Sequence, residues 1–310
     1  MSYSGSEFEP APSRRSPLRR PLVVALAALA PGALLGWGVY AAVGGPAAPG
    51  GAASAAVGTP SAGSGSTGPT ADGDGKPAAS SGPAGPGSLK GKVVVIDPGH
   101  NPNNFRHTAE IGRKVDIGTN RKECDTTGTS TNSGYAEARF TLDVAHRLRA
   151  LLQAQGATVK LTQDGDRAFG PCVDERARIG NAAHADAVIS IHADGAAAGD
   201  RGFHVILPAS VHAGAADTRP ITARSHDLGV RVLGGFRRVT GSAPANYLGD
   251  GTGLVTRKDL GGLNLSTVPK VFIECGNMRD GKDAALLTSS GWRQKAALGI
   301  SEGIVSFLRG

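Results

Sequence analysis

Cysteine is scarce in this 310-residue sequence: there are three, Cys124, Cys172 and Cys275, and no two stand in the C-x-x-C spacing of a cysteine-ligated zinc site. Aromatic residues make up only 5% of the chain, and its 33 Lys and Arg residues are not interleaved with them. With no nucleic-acid-binding motif present either, nucleic acid is excluded as the expected partner. Periodic apolar residues are missing from one long stretch. Residues 44–88 are almost wholly Gly, Ala, Pro, Ser and Thr. Such a composition cannot bury enough apolar surface to offset the entropy of ordering, so the stretch reads as a disordered linker.

Around that linker the chain divides into four parts. Residues 1–21 carry Arg14, Arg15, Arg19 and Arg20 and form a basic cytoplasmic N-terminus. Residues 22–43 are apolar or small, and a spanning helix needs about 20 such residues, with basic flanks kept on the cytoplasmic side. The segment is therefore a transmembrane anchor or a signal segment: Pro31-Gly32 divides it, and the small residues from Ala42 to Ala47 suit a signal peptidase. Either way the remainder is exported, held outside the membrane or secreted. That remainder, residues 89–310, is long enough for a single α/β domain with a full core. Its 28 basic and 22 acidic residues leave a net charge of +6, suited to a polyanionic surface such as a cell wall. In an oxidising compartment Cys124 and Cys172, both in loop-like sequence, are the pair expected to bridge, whereas Cys275 follows the apolar run Val271-Phe272-Ile273 and reads as a buried thiol.

The domain opens on Lys92-Val93-Val94-Val95-Ile96, a β-branched run of the kind buried on both faces of a sheet, and Asp97-Pro98-Gly99 stops it just before His100. A polar stretch, Asn101 to Gly134, follows and is too long for an ordinary connection, which marks it as functional or mobile. Tyr135 to Gln155 has helical spacing, with Phe140, Val144, Leu148, Leu151 and Leu152 on one face and Glu137 in the first turn. The plain role for Glu137 is a favourable interaction with the helix dipole. Residues 157–162 alternate as a strand, Val173 to Ala183 is a second helix, and Ala187 to Ile191 is another buried strand that ends at His192. A strand over Gly202–Leu207 lies at or near an edge and contains His204, read as structural or surface. A weaker helix over 220–240 and a glycine-rich stretch from Gly249 to Gly262 lead to the strand Pro269–Glu274, and Trp292–Leu308 closes the domain as a helix. Alternating strands and helices predict an α/β fold: a mostly parallel twisted sheet with helices on both faces, in a single catalytic domain.

Three buried strands thus end in His100, His192 and Glu274, where open α/β sheets bind their ligands. Two imidazoles and one carboxylate form a zinc set that leaves a fourth position open. The carboxylate is Glu137 or Glu274, and spacing alone does not choose between them. If the helix-borne acid is the ligand, Glu274 is left as the acid/base beside an activated water.

Four ordered motifs carry a family resemblance: Val95-Ile96-Asp97-Pro98-Gly99-His100, the helix-opening Glu137, the run from Ala185 to Asp194 that contains His192, and Val271-Phe272-Ile273-Glu274-Cys275-Gly276. Over about residues 90–308 the chain resembles the zinc-dependent N-acetylmuramoyl-L-alanine amidases of the amidase_3 type. That resemblance implies one Zn²⁺ per chain bound by His100, Glu137 and His192, with Glu274 as the catalytic glutamate, and so separates the two acids. It implies hydrolysis of the amide bond between the lactyl group of N-acetylmuramic acid and L-alanine in peptidoglycan. The alternatives are a catalytically silent wall-binding protein, which needs one of the four residues to be missing, and a zinc peptidase or deacetylase acting on the wall. The segment after His100 is longer than in many relatives, and Asn277-Met278-Arg279-Asp280 departs from the usual sequence after the glutamate. No inserted helix plugs the site and no repeat resembles a wall-binding module. Contact with peptidoglycan and with anionic wall polymers therefore falls to the basic domain, expected to act as a monomer, with membrane contact through residues 22–43 if they are not cleaved.

Overall fold

The β-branched run does form a strand, Val93–Pro98 (β1), in the computed structural model, which describes residues 88–310. After it come α1 (Thr108–Gly112), the hairpin β2 (Lys114–Asp116) and β3 (Arg121–Glu123), α2 (Glu137–Ala154), β4 (Thr158–Leu161), α3 (Val173–Ala182), β5 (Ala187–Asp194) and β6 (His204–Pro208). The chain continues through the small pair β7 (His212–Ala213) and β8 (Ala216–Asp217), then α4 (Thr222–Thr240), β9 (Leu254–Arg257), α5 (Gly261–Asn264), β10 (Lys270–Asn277), α6 (Gly281–Thr288) and α7 (Ser290–Arg309). Residues 22–43 and most of the linker lie outside the described residues, and among those described no helix is long and apolar enough to cross a membrane.

Six strands form one sheet in the order β4-β1-β5-β10-β6-β9. Every neighbouring pair is parallel except β10 with β6, so the mostly parallel fold expected from the strand–helix alternation holds. Side chains alternate across a strand, and here the alternation sorts two kinds of residue. Val94, Ile96, Ile189, Ile191, Val271 and Ile273 pack into the larger core with residues of α2, α4 and α7. On the other face Val95 and Val188 meet Ile179 of α3, and further along the same face the alternation places Asp97, Ser190, His192, Lys270 and Glu274. One face is thus dry, and the other turns polar toward the carboxyl ends of the strands. The α4 and α7 backbones touch at Gly235, Gly299 and Gly303; a Cβ on Gly303 would lie 2.5 Å from the Cα of Val232.

Local reading failed in four places. β5 and β10 run on past His192 and Glu274, because Asn277 pairs with Asp194 after a register shift and the Met278 N–H reaches the Asp194 carbonyl (2.8 Å). The long polar stretch is built rather than loose: it holds α1 and the β2–β3 hairpin, and the Cys124–Cys172 disulfide ties the residue after that hairpin to the start of α3. The glycine-rich stretch hides the edge strand β9, whose four residues form a strand only by pairing with β6. The short helix α6 was also unforeseen; Asp280 caps it by accepting from the N–H groups of Lys282 and Asp283.

Candidate metal centre

His100 leaves β1 with φ +61, a left-handed conformation that a residue with a Cβ adopts only at a cost of about 1–3 kcal/mol. Its carbonyl explains why the conformation is held: Arg176 Nη2 and Gln163 Nε2 both donate to it at 3.0 Å. The imidazole is thereby turned back over the polar face of the sheet. Glu137 arrives from a different direction, on the first residue of α2. Its carboxylate is almost fully buried and is aimed by two backbone donors, Thr129 N–H to Oε2 (2.9 Å) and Ala193 N–H to Oε1 (3.2 Å). His192 stands on β5 and stacks on Phe272 of β10, with ring centroids 5.2 Å apart.

These three side chains converge. His100 Nε2 lies 3.3 Å from Glu137 Oε2, His192 Nδ1 lies 3.0 Å from Glu137 Oε1, and one donor atom from each residue fits within 4.8 Å of the others. Two nitrogen donors and one carboxylate oxygen in such a cluster match a divalent metal of zinc type. The surrounding backbone is shaped for the cluster. A Cβ on Gly99 would stand 2.5 Å from His192 Nδ1, and one on Gly128, where φ is +73, would stand 2.7 Å from His100 Cδ2 and 2.8 Å from Glu137 Oε2. Only glycine leaves room for the cluster at either position.

His100 is oriented from behind. Its Nδ1 donates to Asp125 Oδ1 (3.1 Å) and to the Thr126 carbonyl (3.1 Å), which leaves Nε2 free to face the cluster. Asp125 Oδ2 accepts from Arg176 Nη2 (2.9 Å), and Arg176 Nη1 donates to Asp97 Oδ1 (2.8 Å). Asp97 also accepts from Thr162, Ser190 and the fully buried Lys270. A charged network therefore runs through the interior beneath the site, beside a cavity of about 210 Å³ that reaches from His100 and His192 to Arg176 and Phe272.

The fields follow from this packing. Burial works against charge on His100, but Glu137 and Asp125 outweigh it and hold its pKa above the ordinary value. Burial likewise opposes ionisation of Asp125, yet Arg176 and His100 hold its carboxyl down to about 2. Glu137 is held well below the usual carboxylate range because the two histidines outweigh its burial. Glu274 is the opposite case. It is paired in register with His192, its Oε2 has no hydrogen-bond partner among the described residues, and burial together with the nearby Glu137 and Asp194 carboxylates pushes its pKa up. An acid in that setting is suited to receiving a proton.

The four residues singled out from sequence thus meet at one end of the sheet. Sequence reasoning missed Asp125, Arg176 and Lys270. A usable signal existed for one of their partners: Asp97 ends a run buried on both faces, and a buried carboxylate requires a cation. Cys124 and Cys172 are bridged, and Cys275 is a buried free thiol. Asn277, at the departure from the usual motif, donates from Nδ2 to the carbonyls of Ala196, Ala197 and Asp200, so it latches the β5–β6 loop.

Comparison with known proteins gives three findings. Residues 94–306 match the family Amidase_3, described as N-acetylmuramoyl-L-alanine amidase. The chain is 43% identical over 224 residues, 72% of its own length and 89% of the relative's, to N-acetylmuramoyl-L-alanine amidase Rv3717 of Mycobacterium tuberculosis. Among solved structures it is similar to the N-acetylmuramyl-L-alanine amidase Ami1 of Mycobacterium smegmatis (TM-score 0.65, 40% identity, 71% of this chain and 98% of that one). The apo form of Ami1 from Mycobacterium abscessus gives a TM-score of 0.64 at 39% identity, covering 71% of this chain and all of that one.

Proposed function

The chain belongs to the Amidase_3 family and is a peptidoglycan amidase, and on that premise we propose that its reaction runs at the His100–Glu137–His192 centre with one zinc ion and with Glu274 as the catalytic glutamate. The bond cut is the amide between N-acetylmuramic acid and L-alanine. The observation that carries the assignment is the convergence of the three donors within 4.8 Å, beside a buried and unpartnered carboxyl group. A wall-binding protein without chemistry has no need of that pair of features.

Zinc bound by the three residues would supply Lewis-acid polarisation of the scissile carbonyl and lower the pKa of a water toward about 7. The protein's own groups do the rest. Asp125 and the Thr126 carbonyl hold the His100 ring so that Nε2 faces the centre. The Thr129 and Ala193 amides fix the Glu137 carboxylate, and Phe272 fixes the plane of His192. Glu274, whose pKa is raised by burial and by two neighbouring carboxylates, takes a proton at its carboxylate and returns it to the departing L-alanine nitrogen.

The remaining organisation is proposed from the sequence: a basic cytoplasmic arm over 1–21, an anchor or signal over 22–43, a linker over 44–88 and the catalytic domain over 89–310. Action outside the membrane agrees with the amidase relatives, and the Cys124–Cys172 bridge fits an oxidising compartment. The positive domain is proposed to meet peptidoglycan and anionic wall polymers as a monomer. The test is to incubate the full chain with purified peptidoglycan and measure bound metal and new amino termini together. About one zinc per chain, with new L-alanine amino termini and intact glycan that disappear on chelation and return with zinc, is expected. Stoichiometric zinc with cleavage inside the stem peptide would instead identify a peptidase.

A further inference from the structure

Five buried side-chain atoms lack a hydrogen-bond partner among the described residues, and two of them belong to residues that face each other in the sheet. They are Nδ1 of His204 and Oε2 of Glu274. β6 runs antiparallel to β10, and the register sets His204 directly opposite Glu274. Directly opposed residues of an antiparallel pair project to the same face, with Cβ atoms about 4.5–5.5 Å apart; the two side chains make no hydrogen bond to each other in this structure, and a rotamer change would suffice to join them. The other three unpartnered atoms, on Asp174, Asn264 and Trp292, sit on helices with no such counterpart.

His204 is only 2% exposed, and an unsatisfied polar atom at that depth costs about 1–3 kcal/mol unless it finds a partner. Its surroundings restrict the choice. The Tyr247 ring stands edge-on at 6.1 Å, and its hydroxyl is spent on Asp194 Oδ2 (2.8 Å). Asp194 is also engaged by the Gly195 N–H, and Arg257 is engaged by Asp259. Among the described residues these groups leave the imidazole as the uncommitted donor beside Glu274. Burial keeps it neutral, so it offers a hydrogen bond without adding a charge next to the metal ligands.

We propose that His204 is a positioning residue: the two side chains are opposed but unbonded in this structure, and a change of side-chain rotamer on substrate binding brings the imidazole onto the Glu274 carboxyl and holds it toward the reacting water. The proposal rests on the reading of Glu274 as the catalytic glutamate. It concerns the rate of the chemical step and leaves metal and substrate binding alone, because His204 faces neither His100 nor Glu137 in the sheet pairing.

The test compares full-length wild type with His204→Phe, His204→Gln and Glu274→Gln for zinc content, KM and kcat on soluble peptidoglycan. His204→Phe is expected to keep its zinc and a KM within twofold while kcat falls tenfold or more. His204→Gln, which retains a donor and an acceptor, is expected to recover most of that loss. A zinc-loaded His204→Phe enzyme with wild-type kcat, or a Gln variant as slow as the Phe variant, overturns the proposal. Should the Phe variant not fold, the imidazole ¹⁵N shifts of His204 decide without altering it: with soluble peptidoglycan bound, they move between wild type and Glu274→Gln if the hydrogen bond forms and stay fixed if it does not. An active Glu274→Gln enzyme would overturn the parent reading instead, so the two failures are separable.

Discussion

Arg176 is the residue whose loss should do the most damage for the least change in shape. It is 4% exposed, and its guanidinium donates to Asp97, to Asp125 and to the carbonyls of Pro98, His100 and Pro171 at 2.7–3.0 Å. Arg176→Met keeps most of the volume and removes the charge. Asp97 would still have Lys270 at 3.1 Å, so the carboxylate that loses its guanidinium is Asp125, whose Oδ2 is left unpaired while Oδ1 keeps the His100 ring. Removing one partner of a buried ion pair costs about 3–5 kcal/mol. At about 2–4 °C per kcal/mol for a domain of this size, the midpoint of thermal unfolding should fall by roughly 6–20 °C at pH 7. The pH dependence sharpens the test. In wild type the Asp125 pKa lies at about 2, below the ordinary ~3.9, so its contribution is complete above that ordinary value and is lost as pH falls toward 2. In Arg176→Met burial acts without the guanidinium and moves Asp125 upward, so its penalty shrinks as acid protonates it. The gap between the two proteins should therefore be widest near neutrality and narrow on acidification. Differential scanning calorimetry of metal-free protein between pH 3.5 and 7.5 measures both features. A midpoint within 2 °C of wild type at pH 7, or a gap that widens in acid, would refute the account of the network.

Three further changes test the site from other sides. Gly99→Ala should cost about 1–3 kcal/mol by overpacking, because its Cβ would press on the His192 ring, and zinc affinity in competition with a chromogenic chelator should fall at least tenfold; unchanged affinity would show that the ring has room to move. Glu274→Gln should retain one zinc per chain by atomic absorption and lose about 10²–10⁴ in kcat, the usual contribution of a positioned general acid/base. Opening the Cys124–Cys172 bridge, which spans 48 residues, should lower stability by about 4 kcal/mol in the chain-entropy account, read as the difference between denaturant titrations of wild type and Cys124→Ser/Cys172→Ser. A difference below 1 kcal/mol would mean that the long segment is held by its other contacts alone.

What the sequence made legible and what it hid differ in range. The runs around β1, β5 and β10, and the spacing of Phe140, Val144 and Leu148 in α2, report burial residue by residue, so periodicity recovered them. The strand ends expected from sequence then pointed to His100, His192 and Glu274 as neighbours without any knowledge of contacts, although β5 and β10 themselves run on to Asp194 and Asn277. β9 and α6 were not legible in the same way: a four-residue strand flanked by glycine exists only through its partner β6, and α6 depends on one aspartate cap. Glu137 lay between these cases. Its place at the start of α2 was readable, but its plain role there was a dipole contact, and what makes it a ligand candidate is a pair of amides from residues 129 and 193.

The buried network was invisible for a stronger reason. Arg176 lies on a helix that reads as amphipathic with solvent-facing charges, and Asp125 lies in a polar stretch, so each alone is best explained by water. They are 51 residues apart, and Lys270 and Asp97 are separated by 173. Composition and spacing carry no trace of such pairs. Yet the pairs determine whether the legible residues work, because His100 sits in a costly backbone conformation that Arg176 and Gln163 hold through its carbonyl, while Asp125 sets its ring. Histidine at the end of a strand is therefore a readable address, and the orientation that makes it a ligand candidate is supplied by residues distant in sequence. It follows that substitutions in the network should lower metal affinity in proportion to their effect on His100 rather than to their distance from the centre. Asp125→Asn, which touches the ring, should weaken zinc about 10–100-fold, whereas Lys270→Met, whose contact is with Asp97, should mainly lower stability. Isothermal titration of zinc into the two apo variants separates the effects, and equal losses of affinity would show that the network acts as one rigid body and not through His100.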